Sequence, residues 1–420
     1  MRGVPENSAA GDQTPPRGAV RLTLDRQFGA LFWGKLISGV GIWIHSIVAA
    51  VVVYAATGSA LWVGLVSVVQ FAPQIFLTPL SGTWADRGNI GRQIVLGRVL
   101  CFLGSGSLAA FCFVRGDLEG QLDAVIVLAA TLITGLGFVV GGPAQQSIIP
   151  LLIRRDEFPT AMALNSLPMT LARVAGPAGG TFVAAQYSPA LAFALAGLAH
   201  ALFVVMTMLA ALPAGTEQAA GTDFRVRAAL SYVRRDRTML LLLIVVAAVG
   251  FGSEPSITLA PVIADELGGG THVVGQLTGA FGLGAVVGFF AYRLLSWPAR
   301  QPRVLQVGLA AMILGTTLVA LAPTPVTAMC AFAVAGVGFM IANTAAMNLV
   351  QLRVPQVMRG RVMALWMVGF VGSRPLASIL EGILADAVSL EAALLVTAGV
   401  ILTVFIAFRP KRLDFTADGP

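Results

Sequence analysis

Gly135-Leu136-Gly137-Phe138, Met162-Ala163-Leu164 and Arg173 follow one another along a stretch that closes at Gly180, and the chain contains this stretch twice. Adding 201 to each number gives Gly336-Val337-Gly338-Phe339, Met363-Ala364-Leu365 and Arg374. One offset kept by three separated features, without a gap, marks an internal duplication, and a repeat has to be settled before any other feature of a fold. The copies are not chemically equal. Gly176 and Gly180 of the first stand where the second has Ala377 and Glu381.

The duplicated chain has 420 residues, 57% of them hydrophobic and 11% charged. A soluble domain carries roughly 25% charged residues, so this chain cannot cover a water-facing surface and its solvent is lipid. A membrane helix needs about 20 apolar residues, and about twelve such segments fit between Phe28 and Phe408. The apolar runs are continuous rather than alternating, which excludes a β-barrel. The expectation is an all-α integral membrane protein, with twelve transmembrane helices in two pseudo-symmetric six-helix bundles. The bundles fall at residues 28–212 and 239–408, joined by a cytoplasmic linker at 213–238. A disordered tail at 1–27 and a short tail at 409–420 complete the chain. Parallel six-span halves around a midplane site are a recurrent transporter design.

The net charge of +7 is topological. With the N-terminus in the cytoplasm, the basic residues of the linker, of Arg154 and Arg155, and of Arg409, Lys411 and Arg412 all fall inside, and Arg115 alone falls outside. Cytoplasmic loops carry the excess of Lys and Arg, so both termini are expected inside a bacterial inner membrane. Basic residues scattered over short loops make no nucleic-acid stripe. Cys101, Cys112 and Cys330 lie in apolar spans without metal-ligand spacing. No phosphate-binding loop or catalytic triad is present, so neither an enzyme nor a cofactor is expected.

Ionisable residues inside a membrane cost several kcal/mol and are functional candidates by default. Arg173 and Arg374 hold equivalent places in the duplication, and Glu381 follows Arg374 on the same helix face. Glu254 lies about 24 Å along span seven, at about 1.5 Å per residue, and His45 lies at a similar depth in span one. A carboxyl group in an apolar cavity can load and release a proton, which makes Glu254 the first proton-coupling candidate, followed by His45 and Glu381. The plainer readings are packing anchors for Arg173 and Arg374, an Arg374–Glu381 pair, a solvated Glu254 and a structural His45. Gln70, Gln74, Gln145, Asn165, Asn343 and Trp366 offer possible substrate contacts.

Two motifs add direction. Gly82-Thr83-Trp84-Ala85-Asp86-Arg87 and then Gly91-Arg92 end span two, in a polar loop expected from Gly82 to Gln93. Ala163, Ala172, Gly176-Pro177 and Gly180 place small residues and a helix-bending proline along span five. On these residues the chain, from Phe28 to Phe408, resembles the major facilitator superfamily. That resemblance implies a cytoplasmic gate of Gly82, Asp86, Arg87 and Arg92, in which Asp86 meets the start of span eleven beside Arg359 and Arg361. The span-five spacing is similar to the antiporter signature of exporters, with Ala163, Ala172 and Thr181 in place of glycines. Ala85-Asp86-Arg87, Ala163-Leu164-Asn165 with Arg173, and Arg359-Gly360-Arg361-Val362-Met363-Ala364 resemble the enterobactin-exporter-like, or transmembrane secretion effector, group. This resemblance implies proton-coupled export of a siderophore, drug or other natural product by a protein for which a monomer suffices. Proton-linked uptake of a metabolite, and a non-transporting membrane sensor, are the alternatives.

Overall fold

The computed structural model describes residues 16–87, 89–212, 226–295 and 301–408. Most of the expected linker and tails therefore lies outside the described residues. Twelve long helices carry the fold among the described residues. The first six are α1 (Arg26–Thr57), α2 (Ala60–Arg87), α3 (Ile90–Arg115), α4 (Gly120–Ser147), α5 (Phe158–Gln186) and α6 (Pro189–Leu209). The second six are α7 (Arg237–Phe251), α8 (Thr271–Leu295), α9 (Gln301–Ala320), α10 (Pro325–Arg353), α11 (Gln356–Ala387) and α12 (Leu390–Ala407). No strand occurs among the described residues. Among the described residues, eleven spans are long and apolar enough to cross a membrane. The remaining long helix, α5, is diluted by Asn165, Arg173 and two internal prolines, Pro168 and Pro177.

The duplication is visible at every level. Serine hydroxyls cap α6 and α12 at equivalent positions: Ser188 accepts the Leu191 N–H and Ser389 the Ala392 N–H, both at 3.2 Å. Aspartates cap α1 and α7, with Asp25 accepting from Phe28 (2.9 Å) and Asp236 from Met239 (3.1 Å). Such caps satisfy amide groups that a helix start leaves free. Helix pairing repeats as well. In the first half α1 packs on α5, α2 on α4, and α3 on α4 and α6; in the second α7 packs on α11, α8 on α10, and α9 on α10 and α12.

The repeated glycines explain that pairing. A Cβ at Gly135 would lie 2.6 Å from the Gln70 carbonyl on α2, and one at Gly336 would lie 2.0 Å from the Phe281 carbonyl on α8. Their neighbours two residues on do the same against α3 and α9. Any side chain there would push two backbones apart, and close approach through small residues is how membrane helices associate.

Two expectations need correction. The loop expected from Gly82 to Gln93 is nearly all helix, because α2 runs through Arg87 and Asn89 caps α3 by accepting the Arg92 N–H at 3.0 Å. Span seven is not one helix. It breaks after Phe251 and resumes as short helices at Pro255–Thr258 and Ala260–Glu266. Pro255 and Pro261 sit at the starts of these pieces, where a missing N–H does no harm.

Before α1, a short helix at Ala19–Thr23 is held down by Arg17. The guanidinium bridges Asp25 (2.9 Å) and Glu157 (2.8 Å). Its hydrogen bonds to Glu157, aided by an amide donor from Arg154, pull that carboxyl down to about 2.

Candidate functional site

The break in span seven creates the site. Gly252, Ser253 and Glu254 form the turn between α7 and Pro255–Thr258, inside span seven. Interrupted helices near the midplane are a recurrent device for binding sites in transporters. Glu254 is fully buried, and Arg374, with a side chain 5% exposed, donates from Nε to its Oε2 at 2.7 Å. The Thr258 hydroxyl donates to Oε1 at 3.2 Å, and so does the hydroxyl of Ser67 from α2. Glu254 thus joins α7, α11 and, across the boundary between halves, α2.

Arg173, the first copy's equivalent of Arg374, has a different environment. Its guanidinium carbon lies 5.0 Å from the Trp43 ring centroid, 5.6 Å from Phe281 and 4.6 Å from Phe339. Two of these rings belong to the other half. Arg374 lies over Phe71 (4.0 Å) and also reaches Trp43 (6.0 Å). The two guanidiniums therefore flank one indole. Buried Nη2 atoms of both arginines have no hydrogen-bond partner.

Glu381 does not meet Arg374. Its Oε1 accepts from the Thr397 hydroxyl of α12 at 2.9 Å, and its Oε2 is buried without a partner. His45 is fully buried inside the first half, with its ring nitrogens 3.0 Å from the Ser105 hydroxyl and 3.2 Å from that of Thr131. Gln70 exchanges hydrogen bonds with Ser46 within the same half. Lys35 donates to the Gln145 carbonyl (3.3 Å) and to Asn165 (2.5 Å), nearer the face where α1 begins. Gln74 Nε2, Asn343 Oδ1 and Trp366 Nε1 are buried and unpartnered, and Trp366 stacks on Phe370 at 5.3 Å. Gly176 and Gly180 press α5 onto Trp43 and Ile44 of α1, and Ala172 meets Gly39. Pro177 lies inside α5, and Ala163 is exposed. Of the gate residues, Arg92 is exposed at the start of α3. Gly82, Asp86, Arg87, Arg359 and Arg361 lie on α2 and α11, but their surroundings lie outside the described residues.

The halves also meet at the face opposite the termini. Asp386, in the last turn of α11, accepts from the Ser59 hydroxyl (2.5 Å) and from the amides of Ala60 (2.7 Å) and Leu61 (3.0 Å). A carboxylate from one half thereby caps α2 of the other, where a helix start favours negative charge. The Tyr54 hydroxyl donates to Asp265 at 3.1 Å beside it. Between this latch and mid-depth the helices nearly touch. A Cβ at Gly64 would lie 2.4 Å from the Ser378 carbonyl, and one at Gly275 would lie 1.7 Å from the Thr181 hydroxyl. Sequence reading missed Asp386 and Ser67. An acid at a helix end and a serine in an apolar run are common, and only the fold shows what faces them.

Twelve helices in two matching bundles, with buried charges where the bundles meet, define a transporter of the major facilitator type, and solved structures of that fold superpose on the chain. A bacterial homologue of the human lysosomal transporter Spinster does so with a TM-score of 0.72 and 15% identity, covering 93% of this chain and 97% of the other. The nucleoside transporter NupG gives 0.68 at 14% identity, over 91% of this chain and 98% of its own. A bacterial homologue of the iron transporter ferroportin gives 0.68 at 14%, over 93% and 98%. The chain belongs to the transmembrane secretion effector family, whose model matches residues 23–418. It is 24% identical, over 92% of its length, to the enterobactin exporter EntS of Shigella boydii serotype 18, 93% of which is covered. The same figures hold for enterobactin exporter EntS of Escherichia coli O139:H28. These relatives are transporters and not enzymes.

Proposed function

We propose that this chain is a proton-driven antiporter that exports a small, mostly hydrophobic or amphiphilic molecule, such as a siderophore, drug or other natural product. It sits in a bacterial inner membrane with both termini in the cytoplasm and works as a monomer. The observation that carries this reading is the buried Glu254–Arg374 ion pair, tied to Ser67 across the boundary between halves. With the face opposite the termini latched by Asp386, the described conformation is the one loaded from the cytoplasm.

The cycle follows from that junction. Substrate enters between the halves and pulls Arg374 away from Glu254. The Ser67 contact goes with it, and the outer face opens as Asp386 leaves α2. Outside, the substrate departs and Glu254, without its cation, takes a proton. The halves rock back, and the ion pair re-forms only as the proton leaves to the cytoplasm. Glu381, one helical segment nearer the outer face, is a second proton station on this route. Asp86 with Arg87 closes the cytoplasmic side in the alternate state. Export, rather than uptake, is favoured by the relatives named as exporters.

The test is purified protein in liposomes with an imposed pH gradient, screened against siderophores and drugs while a dye reports internal pH. The expected result is a compound whose movement drives a proton flux in the opposite direction. Movement of compound and protons in the same direction, or no compound moving protons at all, overturns the antiport reading.

A further inference from the structure

We infer that the transported molecule is an organic anion with a flat apolar body, and that Arg173 is the residue that recognises its charge. This rests on the transport reading above and names the substrate class for the same site. The first observation is the balance of charge along the route. The membrane interior of the first half holds Lys35, Arg98 and Arg173 among its described residues, whereas its acids stand at helix ends and loops. Arg98 donates to Ser38 at 2.8 Å and has aromatic neighbours in Phe138 and Phe203. In the second half Glu254 is already committed to Arg374, and Glu381 accepts from the Thr397 hydroxyl. Among the described residues Arg173 therefore has no carboxylate within ion-pair distance, and in a low-dielectric site a guanidinium held only by rings is a strong attractor for an anion.

The second observation is independent of charge. The buried side-chain atoms without partners on the helices that meet at mid-depth are mostly donors. They include Trp43 Nε1, Gln74 Nε2, Trp366 Nε1 and the Nη2 atoms of Arg173 and Arg374. Buried donors left unmade are expensive, so they call for a ligand rich in acceptors, and a carboxylate offers about four acceptor positions. The Trp43, Phe281 and Phe339 rings that hold the Arg173 guanidinium also provide flat apolar faces for the rest of the molecule. Anion binding also suits the cycle, because a substrate carboxylate held by Arg173 beside the shared Trp43 ring can draw Arg374 away from Glu254. An inside-negative potential then helps expulsion, by about 2.3 kcal/mol per charge per 100 mV.

The test uses three probes of one shape, naphthoate, naphthalenemethanol and naphthylmethylamine, titrated calorimetrically into the purified full-length protein with binding to empty micelles subtracted. Naphthoate is expected to bind at least about tenfold tighter than the alcohol, the scale of one charge-assisted pairing, and the amine weakest. Arg173→Gln should bring the acid-to-alcohol ratio close to one, and Arg173→Lys should restore part of it. Equal binding of acid and alcohol, or tightest binding of the amine, overturns the inference in the wild-type protein alone, whatever the variants do. Those outcomes leave proton-driven export standing. Preferential, Arg173-dependent binding of naphthoate supports the anion site, and the export reading stands or falls separately on the liposome screen.

Discussion

Arg173 and Arg374 occupy the same register of a duplicated chain, yet their surroundings have diverged. Arg374 holds a buried carboxylate, Glu254, and rests on Phe71. Arg173 has three aromatic rings and, among the described residues, no carboxylate within ion-pair distance. The divergence continues along the two helices. Glu381 and Asp386 of the second copy stand where the first has Gly180 and Ala185. Both α5–α8 and α11–α2 pack through small residues, but only α11 adds a carboxylate, Asp386, that caps its partner helix. Duplication supplied two equal frames, and the working asymmetry came from a few substitutions on one of them. On the reading proposed above, the first half offers a cation to the substrate and the second half a switch.

The largest effect expected from this contrast is on stability. Arg374→Ala strands Glu254 as a buried charge and should destabilise the protein by about 3–5 kcal/mol. Arg173→Ala leaves no acid behind, and loses about 1–2 kcal/mol of ring contacts. Unfolding midpoints in detergent compare the two directly, and equal losses would dissolve the distinction drawn here. Next in size is the latch. Asp386→Asn weakens charge-assisted hydrogen bonds to one hydroxyl and two amides, by about 1–3 kcal/mol. Spin labels at the outer ends of α2 and α11 should report a longer distance population in that variant. An unchanged distribution would mean that the small-residue contacts hold the face closed alone.

The smallest effect is at the terminal clasp of the first half, where Arg17 joins Asp25 to Glu157; in the second half Arg353 holds Asp236 instead, at 2.5 Å. Position 157 is Glu, while its counterpart is Met358. Because Arg17 holds the Glu157 carboxyl down to about 2, the clasp contributes fully above the ordinary carboxylate range near 4.3. Its contribution falls as pH drops through the folded-state value near 2. Arg17→Ala should cost about 1 kcal/mol at neutral pH, and the difference from wild type should vanish in strong acid. Chemical unfolding followed from neutral to low pH checks the sign.

The fold was legible in the sequence to an unusual degree because lipid leaves few choices. Composition demanded apolar helices, and the offset of 201 gave the two-half frame. Glu254, Arg173 and Arg374 were recognisable because charge inside a membrane needs a reason. Their pairing was not legible. Helical spacing put Glu381 beside Arg374, but the break at Gly252–Glu254 swings Glu254 into that place instead. Gly250, Gly252, Ser253 and Pro255 were the available signal, and they read equally well as ordinary small residues of a membrane helix. His45 reads in the sequence as a proton carrier or as a structural histidine, and only the fold shows Ser105 and Thr131 within hydrogen-bond distance of its two nitrogens.

The account turns on Glu254 as the point where proton and substrate take turns. The measurement to make is transport by Glu254→Gln in liposomes, scored both as pH-gradient-driven efflux and as substrate exchange at equal pH, beside His45→Gln. The account predicts that Glu254→Gln loses driven efflux and proton counterflow while exchange continues, and that His45→Gln keeps both. Full proton counterflow through Glu254→Gln would contradict it.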